Sequence, residues 1–84
     1  MSTRLYVSNL PLSETEQKLA TRFGKFGVVL SVALETARSR RGAFVEMNTS
    51  AEALKAIAAL NLADFDGRLV SVYLAVANAA QKPS

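Results

Sequence analysis

Tyr6 sits between Leu5 and Val7, and Phe44 sits between Ala43 and Val45. A β-strand sends successive side chains to opposite faces. If Leu5 and Val7 face a core together with Ala43, Val45 and Met47, then Tyr6, Ser8 and Phe44 face water. Two outward aromatics on paired strands form a flat surface suited to π-stacking, and unpaired nucleic-acid bases are ligands of that kind. Arginines gather nearby. Arg38, Arg40 and Arg41 fall within four residues, and Arg4 and Arg68 lie at the edges of expected strands. By alternation Arg40 shares the wet face, where it can pair with a phosphate or stack on a base, while Arg38 and Arg41 flank the groove. Gly42 occupies the position two before Phe44, where a third outward aromatic would extend the row. It leaves sheet surface bare for close backbone approach.

The remaining composition narrows the chemistry. The 84 residues include no histidine, cysteine or tryptophan. Histidine acid–base catalysis, Ser-His or Cys-His nucleophiles and His/Cys zinc sites are therefore excluded. Seven carboxylates are present, but none falls into the spacing of a metal loop or a catalytic pair. Neither a metal nor a cofactor is expected. The net charge of +3 is a mild bias, so the placement of the arginines says more than their number. No apolar run reaches the length of a membrane span, and the N-terminus lacks a secretory pattern. The sequence reads as a soluble intracellular protein, cytoplasmic in the first instance with a nuclear location as the alternative.

These residues must be positioned by regular elements, and the pattern supplies six. A first strand covers residues 4–10 and stops at Pro11. Ser13 or Thr15 can cap a helix, with Ser13 and Glu16 at capping-box spacing, and Leu19, Ala20 and Phe23 form its buried stripe. Gly24 and Gly27 close that helix around Phe26. Residues 28–35 read as a second strand with Val32 and Leu34 inward, and residues 36–41 as a short basic connection. Residues 43–47 make a third strand. Thr49 and Glu52 repeat the capping spacing before a second helix, whose stripe is Ala53, Ala56, Ile57 and Leu60. A loop over residues 61–67 leads to a fourth strand, residues 68–75. Its core side carries Val70, Val72 and Ala75, and Ser71 and Tyr73 point outward. The order βαββαβ predicts an α+β, ferredoxin-like sandwich: a four-stranded antiparallel sheet with both helices on one face and the other face open. One domain is expected over residues 1–77, followed by a short flexible tail over 78–84.

With these elements in place, the chain resembles an RNA recognition motif domain over residues 4–75. Leu5-Tyr6-Val7-Ser8-Asn9-Leu10 resembles the family's six-residue ribonucleoprotein motif at every defining slot. Arg40 to Met47 resembles its eight-residue motif, basic-Gly-aromatic-small-Phe-Val-x-aromatic. Phe26-Gly27, Ala56-Ile57, Leu60-Asn61 and Gly67-Arg68 resemble the family at further positions. The second motif departs from the pattern. Aligned on Phe44-Val45, its Gly slot holds Arg41, its first aromatic slot Gly42 and its last aromatic slot Met47, which is inward.

The resemblance implies that Tyr6 and Phe44 stack on two successive bases and that the strands lie in the order 4-1-3-2. That order sets Tyr73 beside Tyr6 as a candidate third ring. Arg4, Arg38, Arg40, Arg41 and Arg68 would hold phosphates, with Ser8 and Gly42 on the same surface. Glu35 and Glu46 on that face would repel phosphate or hydrogen-bond to base edges. Asn9 reads as a turn residue. The function implied is binding of single-stranded RNA by a non-catalytic module, with modest affinity and modest sequence preference.

Other readings stay open at this stage. Stacking does not need the 2′-hydroxyl, so single-stranded DNA is an alternative ligand. The same fold can serve protein interaction, which the missing aromatic and weak charge would suit. Aromatics favour strands in any case, and exposed Val28, Leu30 and Leu54 would suit a partner contact. An acyl-phosphate hydrolase is disfavoured, because the Leu10-to-Ser13 turn offers neither glycines nor a basic side chain to cradle an anion. A monomer without membrane contact is expected, and the length fits either a complete protein or one domain of a larger one.

Overall fold

The computed structural model describes residues 3–36 and 41–75. Its elements are β1 (Arg4–Ser8), α1 (Glu16–Gly24), β2 (Val29–Thr36), β3 (Arg41–Met47), α2 (Ser50–Leu60), β4 (Asp64–Phe65), β5 (Arg68–Leu69) and β6 (Ser71–Leu74). Antiparallel pairing arranges four of the strands as β2-β3-β1-β6. This is the 4-1-3-2 order with β6 as the fourth strand, and the α+β sandwich forms as the alternation predicted. Arg38 and Arg40 lie outside the described residues, as does the segment expected to be a tail.

The core follows from that alternation. Leu5 and Val7 of β1, Ala43, Val45 and Met47 of β3 and Val72 of β6 are buried in one cluster with Leu19 and Phe23 of α1 and Ala53 and Ala56 of α2. Burying a side chain the size of Leu, Val or Phe contributes about 1.5–3 kcal/mol. The pattern that puts them inward is therefore also the main force that leaves Tyr6 and Phe44 outside. Both helices start at a threonine. Thr15 Oγ1 accepts from Lys18 N at 3.1 Å and Thr49 Oγ1 from Glu52 N at 3.2 Å, each satisfying an orphan donor of the first turn. Ser13 is not the cap; its hydroxyl donates to Asp66 at 3.0 Å.

The expected fourth strand is divided. Arg68–Leu69 folds back on Asp64–Phe65 as a hairpin, turning at Asp66 and Gly67 with φ of 52° and 96°. Positive φ at both central residues is what a two-residue type I′ turn requires, and Asp-Gly accommodates it well. The strand that joins the main sheet begins only at Ser71. Leu74, not Ala75, continues the helix side below Val72, because Leu74 pairs with Leu5 across the ladder.

A polar latch fastens the β1–α1 loop to this hairpin. Glu14 is buried, 1 % exposed. It receives Arg22 Nε at 2.8 Å and Nη2 at 3.2 Å. The same guanidinium lies over the Phe65 ring, 3.9 Å from its centroid. Lys18 Nζ reaches Asp66 at 3.1 Å. That bond foremost, and then the Ser13 hydroxyl, hold the Asp66 carboxyl below its usual pKa of 3.8.

Candidate nucleic-acid interface

Strand pairing places Tyr73, Tyr6 and Phe44 in one row across the open face. Tyr6 is the register partner of Phe44 on one side and of Tyr73 on the other, and directly paired residues project to the same face. The Tyr6 and Phe44 centroids are 4.9 Å apart with the rings at 61°; those of Tyr6 and Tyr73 are 5.7 Å apart at 44°. Arg4, next on the same face of β1, sets its guanidinium 4.6 Å from the Phe44 centroid. The row thus ends in a cation held against a ring, an arrangement that attracts through the ring quadrupole. Tyr73 is half exposed, Tyr6 and Phe44 less so.

Gly42 is not bare surface, which corrects its reading as an opening for backbone approach. It is buried beneath the Tyr6 phenol. A methyl group at position 42 would overlap the Tyr6 hydroxyl, with Cζ 2.6 Å away and the Val7 carbonyl oxygen 3.0 Å away. The missing side chain lets Tyr6 lean across β3, so that its hydroxyl lies 3.5 Å from Glu35 Oε1 on β2. The space a third aromatic would fill is taken by the first.

Arg41 is a second correction. It shares the parity of Ala43 and Val45, so it projects to the helix side and not toward the aromatic row. There Nη1 donates to Leu12 O at 2.8 Å and Nη2 to Glu14 O at 3.2 Å, tying down the β1–α1 loop. Parity alone could have shown this from the sequence.

The other expected residues gather around the row. Ser8 pairs with Gly42 and Ser71 and is half-buried. Glu46 pairs with Arg4 and accepts from the Thr3 hydroxyl at 2.5 Å. Arg68 donates to Asn9 Oδ1 at 2.7 Å, and Asn9 Nδ2 in turn donates to Leu69 O at 2.7 Å. With φ of 67°, Asn9 adopts the left-handed turn that asparagine tolerates best among residues with a Cβ. It joins the end of β1 to the hairpin and holds the Arg68 guanidinium there. Sequence reasoning passed over Glu14, whose buried partnership with Arg22 joins a loop to a helix and leaves no periodic trace.

Comparison with known proteins identifies this architecture. Residues 5–71 match the model of the RNA recognition motif family. The chain belongs to that family. Among relatives, it is 40 % identical over 79 residues to glycine-rich RNA-binding protein 1 of Mycosarcoma maydis, covering 89 % of this chain and 45 % of that protein. It is 41 % identical over 78 residues to the chloroplastic 28 kDa ribonucleoprotein of Spinacia oleracea, covering 88 % and 34 %. The chain therefore spans less than half the length of these curated relatives. The crystal structure of RNA-binding protein PG1 superposes with a TM-score of 0.81 at 31 % identity, covering 99 % of this chain and all of that one. The Sex-lethal protein in its RNA complex gives 0.77 at 39 % identity, covering 87 % and 47 %. The family is one of non-catalytic RNA-binding domains. Among the described residues no helix is long and apolar enough to cross a membrane.

Proposed function

We propose that the open face binds single-stranded RNA by stacking bases on Tyr6, Phe44 and Tyr73, with arginines supplying phosphate contacts. The observation that carries this reading is the unbroken aromatic row over three strands with Arg4 set against its end. Stacking on such rings is worth roughly 1–3 kcal/mol per base and accepts any base. Arg4 borders the row, and with Arg68 at the end of β1 it would add the sequence-independent, salt-sensitive share. So would Arg38 and Arg40, whose sequence positions adjoin β3. Affinity is modest on this reading, because few cations and a single small sheet are available.

Fluorescence anisotropy with a random-sequence RNA at low and moderate salt tests it. Binding should weaken as salt rises, and Phe44→Ala should weaken it by about tenfold or more. A DNA strand of matched sequence reports whether the 2′-hydroxyl matters. Absence of salt-sensitive binding at low ionic strength would turn the reading toward a protein partner.

A further inference from the structure

We infer that Glu35 selects the base that stacks on Tyr6, favouring bases with an exocyclic amine and rejecting uracil; this rests on the open face being an RNA site. Gly42 lets the Tyr6 ring cross β3 until its hydroxyl is 3.5 Å from Glu35 Oε1. The carboxylate therefore stands at the rim of the stacking ring, where the edge of a bound base would project. Glu35 is exposed and is the one ionisable residue of β2. Ser31 and Ala33, which pair with Glu46 and Phe44 on the aromatic face, are small, and exposed Leu30 at the bulge is apolar. Among the described side chains of that strand, Glu35 alone carries a charge near the Tyr6 hydroxyl.

The chemistry of an ionised carboxylate sets the preference. It accepts hydrogen bonds and donates none, and its two oxygens offer about four acceptor sites, so the Tyr6 bond leaves capacity for a base. Cytosine presents its N4 amine, adenine its N6 amine and guanine N1–H with its N2 amine. Uracil presents N3–H between two carbonyl oxygens, which a carboxylate repels. Thymine presents the same face, so the preference would carry over to DNA.

Anisotropy titrations of the full chain with octanucleotides of adenosine, cytidine and uridine at low salt test the inference. Adenosine and cytidine octamers should bind about tenfold more tightly than the uridine octamer, the worth of one good base-edge contact. In Glu35→Gln the amide can also donate to a uracil carbonyl, so the gap should shrink to less than about threefold. The exposed position and an unchanged amide NMR spectrum would show that the variant folds. Equal or tighter binding of uridine by the native chain overturns the inference, as does a gap that Glu35→Gln leaves intact. In either case RNA binding itself stands. Failure of all three octamers to bind would remove the RNA reading along with this one.

Discussion

Two arginines of this domain lie against phenylalanine rings, and the two pairs have opposite fates. Arg22 sits 3.9 Å from the Phe65 centroid, clamped by the two hydrogen bonds it donates to buried Glu14. Arg4 sits 4.6 Å from the Phe44 centroid on the open face, exposed to solvent. The residue types are the same, and burial decides their use. Where a carboxylate and a ring have both been taken from water, the guanidinium is a structural member whose loss leaves a charge unpaired. At the surface the same contact stays in water, where a cation against a ring contributes only about 0.5–1 kcal/mol. Arg41 extends the lesson, because its two loop hydrogen bonds commit it to holding Leu12 and Glu14 in place.

The contrast can be broken by substitution, starting with the buried pair. Arg22→Ala should lower stability by about 3 kcal/mol, the low end for orphaning a buried charge, because the Glu14 side chain is fully buried and that of Arg22 is 27 % exposed. Urea unfolding reads this directly, and RNA affinity at a temperature where the variant is folded should not change. Gly42→Ala comes next. Its methyl group must displace the Tyr6 phenol, and the Val7 carbonyl leaves little room on the other side, so about 1–2 kcal/mol should be lost. The Tyr6 ring resonances should move, and a variant whose ring shifts match the native chain would sink the covering role given to Tyr6. Arg4→Ala should change stability by less than about 0.5 kcal/mol while weakening RNA binding several-fold and flattening its salt dependence.

The smallest effect concerns acid. The folded-state pKa of Asp66 is lowered by Lys18 and Ser13, so its contribution is present above the unfolded pKa near 3.8. It is lost as pH falls through the lower folded value. Asp66→Asn should therefore lose less stability than the native chain between neutral pH and pH 3. Equal losses in the two proteins would show that the latch on Asp66 does not couple to folding.

Much of this was legible in the sequence because strand period is a strong signal. Alternation around Tyr6 and Phe44 gave both their direction and their shared face, and the strand order implied by the family resemblance set Tyr73 beside Tyr6. The hairpin was half legible: Asp66-Gly67 is a turn signal, but strands of two residues are too short to show a period. The covering of Gly42 was not legible, because it depends on how far a ring can lean once a neighbour's side chain is absent. The Glu14–Arg22 pair was not legible either. Its members meet only when a loop, a helix and a hairpin have already packed together.

The central claim is that Tyr6, Phe44 and Tyr73 form the binding surface. Its most direct test is an NMR titration of the full chain with a short mixed-sequence single-stranded RNA, following ring and amide resonances together. The account predicts that the largest shifts fall on β1, β3 and β6, with contacts between base protons and the Tyr6 and Phe44 rings. Shifts confined to α1 and α2, with the three rings undisturbed, would contradict it.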